Sequence, residues 1–210
     1  MAVDENQFVY NGFNGAHIHL DGVAKIHSKG PLQLTNDSKH QIGRAFYQLP
    51  VRFHTSSSTL NQDLSFSTHF VFAIVPEITN LSCCGMAFPI SPSMDFTHAV
   101  GGDQYFGLLY SSNNGLPSNH ILAIELDTLT NPEFNDINDN HVGIDVNSLV
   151  SNVSTTNMYY FNREQIKQSL QLGATIFLVG ASIKVGKHKA SKFHSFFHFL
   201  IKENPFSELQ

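Results

Sequence analysis

The sequence predicts an all-β protein, an antiparallel sandwich or barrel, and three observations carry that prediction. Residues 64–75 alternate strictly, with Leu64, Phe66, Thr68, Phe70, Phe72 and Ile74 on one side and Ser65, Ser67, His69, Val71, Ala73 and Val75 on the other. Shorter runs of the same character recur between turn-forming residues, with few helical signals. The chain also holds 18 Phe and 6 Tyr in 210 residues, a composition suited to half-buried, pleated surface.

Taken in order, the expected strands are 16–26, 44–49, 64–75, 86–90, 105–110, 120–127 and 141–146. In 64–75 the second face turns apolar partway along, as in a long strand that enters a covered sheet. Between the strands lie Thr35-Asn-Asp-Ser, Ser56-Ser-Ser, Ser111-Ser-Asn-Asn-Gly and Asn131-Pro, all rich in turn formers. There is no internal repeat and no heptad pattern. To about residue 150 the chain reads as one all-β domain. Beyond it, 161–172 suits a short helix with Asn162 as its cap. Residues 184–202 mix five Lys with His188, His194, His198 and four Phe. No clean helical face emerges there, and a poorly folded tail is the plainer expectation than a membrane-surface segment.

Composition excludes several classes of function. Charged residues make up 14% of the chain against a usual share of about 25%, so disorder is not expected. A formal net charge of −5 argues against nucleic acid as a partner, since duplex binding needs a basic face. The opening residues Met1-Ala-Val-Asp-Glu-Asn lack the basic and apolar regions of a signal peptide, so none is expected in this chain. No apolar run is long enough for a membrane span; residues 170–183 come nearest. Cys83 and Cys84 are the two cysteines, and as chain neighbours they are expected as free thiols. Asn36-Asp-Ser, Asn80-Leu-Ser and Asn152-Val-Ser are glycosylation triplets that matter only in a secreted protein.

The chemistry concentrates in residues 121–145. Glu125 and Asp127 are two apart on an expected strand, so both carboxylates leave the same face. Like charges that close repel, and burial worsens this unless a cation neutralises them. Asn131 and Asp136 follow in a loop, and His141 opens the next strand. A strand–loop–strand hairpin would bring all five side chains together. Oxygens from Asp, Asn and a loop carbonyl suit Ca²⁺, whereas His with carboxylates suits Mn²⁺ or Zn²⁺. On composition alone, an acidic solvated loop remains an equal reading, because Asp and Asn are common in turns.

Order and spacing go further. Glu125, Asp127, Asn131, Asp136 and His141 together resemble the metal-binding signature of the legume, or L-type, lectins. The run is especially similar to the extracellular lectin domain of plant lectin receptor kinases. His141-Val-Gly-Ile-Asp-Val-Asn-Ser148, Phe8-Val-Tyr-Asn-Gly-Phe13, Gly43-Arg-Ala-Phe-Tyr47 and Phe66-Ser-Thr-His-Phe-Val-Phe-Ala-Ile74 are similar too. The resemblance covers roughly residues 8–172. It implies a jelly-roll sandwich holding one transition ion and one Ca²⁺. Glu125, Asp127, Asp136 and His141 match the Mn²⁺ ligands of the family; Asp127, Asn131 and Asp136, with the Leu129 carbonyl, match the Ca²⁺ ligands. Asn131 matches the residue that touches sugar, and Gln104, in a loop near Gly102, aligns best with the family's backbone N–H donor. A glycan partner and an extracellular or cell-surface location follow from the resemblance, and a homodimer is compatible with it.

Three departures from the family pattern accompany the likeness. Cys84-Gly-Met-Ala-Phe88 stands where the family has an Asp before Gly, and a thiol cannot accept paired hydroxyl hydrogen bonds as a carboxylate does. Leu129 replaces the aromatic that packs on the sugar ring. From about Gly173 no family likeness is seen, which divides the chain into an incomplete lectin-like sandwich, 1–172, and a divergent basic and aromatic tail, 173–210. A shortened product with an incomplete back sheet is the expectation, with a weakened monosaccharide grip. Two other functions compete with this one. Hydrolases of this architecture need a second Glu where Thr130 stands, so no enzyme is expected. A metal-braced sandwich that binds a peptide, an apolar small molecule or a nucleotide is the remaining alternative.

Overall fold

The computed structural model describes residues 9–36, 38, 40–51, 66–74, 85–99 and 104–156, with the strand backbones of 175–183 and 194–195. Eleven strands follow one another among these residues. They are β1 (Ile18–Gly22), β2 (Lys25–Ile26), β3 (Leu32–Gln33), β4 (Gly43–Tyr47), β5 (Phe66–Ile74), β6 (Gly85–Ser91), β7 (Leu122–Asp127), β8 (His141–Val146), β9 (Val153–Thr156), β10 (Thr175–Ile183) and β11 (His194–Ser195). Among the described residues no α-helix occurs, only the single 3₁₀ turns Pro117–Asn119 and Pro132–Phe134. Every strand pairing is antiparallel.

The largest sheet runs β11-β6-β7-β8-β9; β1 pairs with β4, β2 with β3 and β5 with β10. Alternation along β7 sorts its residues into two faces. Leu122, Ile124 and Leu126 share one face with Phe88 of β6, and Phe70 of β5 stacks on Phe88 at 5.6 Å. That contact sets β5 against the sheet as a second layer. The opposite face carries Ala87 and Ala123, whose small side chains admit the buried cluster of Phe46, Phe96, Phe106, Leu108, Ile121 and Phe134. Fully burying side chains of this size contributes about 1.5–3 kcal/mol each. β11 pairs only with Ser91 and Ile90; the next residue of β6, Pro89, has no N–H to extend a ladder.

Most expected strands are present with shifted ends, and two expectations need correction. Residues 16–26 form β1 and β2 rather than one strand, because Gly22 takes a positive φ of 66° and Val23 donates its N–H to Ile42 instead. Residues 105–110 form no strand. Phe106 and Gly107 have φ of 53° and 57°, and the Leu108 N–H returns to the Tyr105 carbonyl at 3.0 Å. The apolar run is explained by burial in a turn, since Phe106, Leu108 and Leu109 all enter the core. The expected helix at 161–172 lies outside the described residues, as does most of 184–202.

Candidate metal centre

β7 and β8 are neighbours, and their register decides which side chains meet. Asp127 pairs with His141, Glu125 with Gly143 and Ala123 with Asp145, so four polar side chains share one face. Glu125, Asp127, His141 and Asp145 are each no more than 2% exposed. Ligand atoms of Glu125, Asp127 and His141 all lie within 4.8 Å of one another. Glycines make the space. A Cβ on Gly143 would lie 2.0 Å from Ser151 Oγ and 3.3 Å from Glu125 Oε1. A Cβ on Gly85 would lie 2.4 Å from the Phe106 ring and 3.0 Å from Asp127 Oδ1.

The loop between the strands turns back on the cluster. Asp127 Oδ1 accepts the Leu129 N–H at 2.9 Å, and the Asn131 N–H donates to Asp136 Oδ2 at 2.5 Å. The 3₁₀ turn Pro132–Phe134 starts with proline, which has no N–H to satisfy, and ends at Asn135, whose φ of 60° suits asparagine. Phe134 anchors the loop in the core, edge-on to Tyr105 at 5.3 Å. The chain reversal places Asp136 Oδ1 3.7 Å from His141 Nε2, with its side chain 4% exposed.

The His141 ring is held at both nitrogens. Nδ1 lies 2.8 Å from the Asn138 carbonyl oxygen and Nε2 lies 2.9 Å from Glu125 Oε1. A carbonyl can only accept, so Nδ1 carries a proton. Nε2 then faces the carboxylates as an imidazolium N–H or as a lone pair for a metal. Burial lowers the His141 pKa, but the Glu125 hydrogen bond and charge, the Asn138 carbonyl and the Asp127 charge outweigh it and raise it to about 9. Burial, and then the Glu125 charge, push Asp145 up to about 8, against a hydrogen bond from Ser151 Oγ at 2.6 Å. Its other oxygen, Oδ2, is buried and has no hydrogen-bond partner among the described residues. Protons on His141 and Asp145 balance this much buried acid in one way; a divalent cation is the other.

Glu125, Asp127, Asp136 and His141 therefore converge as their spacing suggested. Their donor set, carboxylate oxygens plus an imidazole nitrogen oriented from behind, fits a transition ion. Asn131 is buried beside Asp136, and its side-chain amide lies 3.5 Å from Glu133 Oε1. Leu129 and Gln104 are half-buried, and Gln104 is the first described residue of the expected ligand loop, 102–106. Cys84 and Gly102 lie outside the described residues. Sequence reasoning did not single out Asp145, although period two from His141 through Gly143 puts it on the same face.

A family model of the legume lectin domain matches residues 5–180. The chain is 45% identical over 183 residues to the L-type lectin-domain containing receptor kinase I.8 of Arabidopsis thaliana, covering 86% of this chain and 26% of that protein. It is 47% identical over 165 residues to the L-type lectin-domain containing receptor kinase SIT1 of Oryza sativa subsp. japonica, covering 77% and 24%. The chain thus spans about a quarter of the length of these curated relatives. Among solved structures, lectin UEA-II complexed with galactose superposes with a TM-score of 0.58 at 24% identity, covering 95% of this chain and 96% of that one. This likeness shows the fold, an all-β sandwich of legume-lectin type.

Proposed function

Because the chain belongs to the legume lectin domain family, we propose that it is a carbohydrate-binding module whose site is braced by a transition ion such as Mn²⁺ and by Ca²⁺. The observation that carries this reading is the buried convergence of Glu125, Asp127 and His141 within 4.8 Å. In this reading Glu125, Asp127, Asp136 and His141 hold the transition ion, and Asp127, Asn131, Asp136 and the Leu129 carbonyl hold Ca²⁺. When bound, the cations supply the positive charge that lets these carboxylates sit together and fixes the 128–140 loop.

The ligand groups are Asn131, the loop of Gly102 and Gln104, and the Cys84 position. Cys84 and Leu129 weaken the hold on a single sugar ring, because one offers no paired acceptors and the other no aromatic face. The lectin-like sandwich then takes up most of the chain, with its divergent tail after residue 172, and no chemical step is assigned to it. The lectin receptor kinases among its relatives support a cell-surface place. Among the described residues no helix is long and apolar enough to cross a membrane.

A glycan array, run with and without chelator, tests the reading. Binding should vanish on chelation and return with Ca²⁺ and Mn²⁺ together, and Cys84→Asp should raise monosaccharide affinity without changing metal content. Glycan binding indifferent to chelation would overturn it.

A further inference from the structure

Of the three Asn-x-Ser triplets, 152–154 lies wholly among the described residues, as do Asn36 and Ser38 of a second, and the fold treats the two asparagines differently. Asn36 is exposed, but its Oδ1 accepts the Ser38 N–H at 2.9 Å, closing a turn on the triplet itself. Asn152 stands exposed at the bend that leads into β9. Its backbone N–H donates to the Ile144 carbonyl at 2.8 Å, and its side-chain amide makes no hydrogen bond among the described residues. β9 ends the five-stranded sheet among those residues, and Val153, next to Asn152, is 64% exposed. Ile144 pairs with Val153 while His141 pairs with Thr156, so Asn152 sits at the opposite end of the β8–β9 ladder from His141. Ser151 turns its hydroxyl inward to Asp145, while Asn152, the next residue, faces solvent.

We propose that Asn152 is an N-glycosylation site whose glycan guards the β9 side of the sheet. The amide Nδ2 of Asn152 attacks C1 of a lipid-pyrophosphate-linked oligosaccharide. An N–C bond forms, the C1–O bond breaks, the lipid pyrophosphate leaves with the electron pair, and the amide proton passes to a base of the transferase. Ser154 supplies the hydroxyl that the triplet requires. The folded chain accommodates the product because Asn152 is exposed and its amide is not engaged. A sugar chain rooted one residue before a terminal strand hinders pairing by a second chain. The inference rests on the cell-surface placement proposed above and not on any ligand.

The test directs the full chain into the secretory pathway of plant cells with an added cleavable leader. Lumenal and secreted protein are both digested with peptide N-glycosidase A in ¹⁸O-water and analysed by mass spectrometry. Asn152 should become ¹⁸O-labelled Asp in most molecules, and Ser154→Ala should abolish the label. An unlabelled Asn152 in the lumenal fraction overturns the site, and reading that fraction removes poor secretion as an explanation. Asn152→Gln should scatter more light on concentration than Asn36→Gln; equal behaviour overturns the edge role. Glycan binding by enzymatically deglycosylated protein, with and without chelator, is read separately, so failure of the lectin reading is told apart from failure of this one.

Discussion

Without bound metal, burial and the neighbouring carboxylates favour a proton on Asp145 and on His141 in the folded chain that an unfolded chain releases at lower pH. Their folded pKa values, about 8 and about 9, stand above the ordinary values of 3.8 and 6.5. For a group shifted upward, the stabilising contribution is full below the unfolded pKa and is lost as pH rises through the folded one. Metal-free protein should therefore melt at progressively lower temperature as pH is raised from about 4 to about 9. Asp145→Asn keeps the acceptor for Ser151 and places a neutral amide beside Glu125. It should stabilise the metal-free protein at pH 7 by an amount on the order of 1 kcal/mol or more, and the gain should shrink toward pH 4. Thermal melts of chelated parent and variant across pH check this, and a flat difference would contradict it. The residues that resemble a family signature were legible through that resemblance. Asp145 was not, because one Asp in an alternating strand has no spacing partner to mark it.

β8 shows how local pattern and tertiary demand agree. Its bounds were readable from alternation, His141–Val146, with His141, Gly143 and Asp145 inward. What the pattern does not reveal is why Gly143 is glycine. The nearest atom to an added Cβ is Ser151 Oγ at 2.0 Å, which also donates to Asp145. Gly143→Ala should push Ser151 off Asp145 and crowd Glu125, destabilising the fold by about 1–3 kcal/mol and weakening metal uptake. Chemical denaturation and metal titration read the two effects, and parent-like values in both would contradict the packing described. The 104–108 turn illustrates the converse. Tyr-Phe-Gly-Leu-Leu has the composition of a strand, and burial in the core produces the same composition as burial in a sheet. Positive φ at Phe106 and Gly107 separates the two, and Gly107 was the one sequence mark of it.

Across the molecule, the metal cluster and the expected ligand loop belong to one packed unit. Arg44, 4% exposed, donates to Asp21 at 2.5 Å across the β1–β4 pair. Its Nη2 reaches the carbonyls of Ala99 at 2.6 Å and Gly107 at 3.0 Å, tying both ends of the 96–107 segment to that pair. Phe106 in turn lies against Gly85, which touches Asp127. No sequence pattern announces an arginine that serves carbonyls more than 50 residues away, so this long-range link was not legible. β10, which carries the apolar run Ile176–Val179, pairs with β5 along its whole length. Ile144, Val146 and Val153 nevertheless remain exposed on the flank of β8 and β9. Of these links, the Phe106–Gly85 contact is the one that reaches the buried carboxylates, through Asp127, and metal content tests that cluster most directly. Protein refolded with Ca²⁺ and Mn²⁺, freed of unbound ions by gel filtration and submitted to elemental analysis, should retain both in near-stoichiometric amounts. Asp136→Ala, which takes a ligand from both ions, should retain little of either. Folded parent protein that retains neither ion would contradict the account.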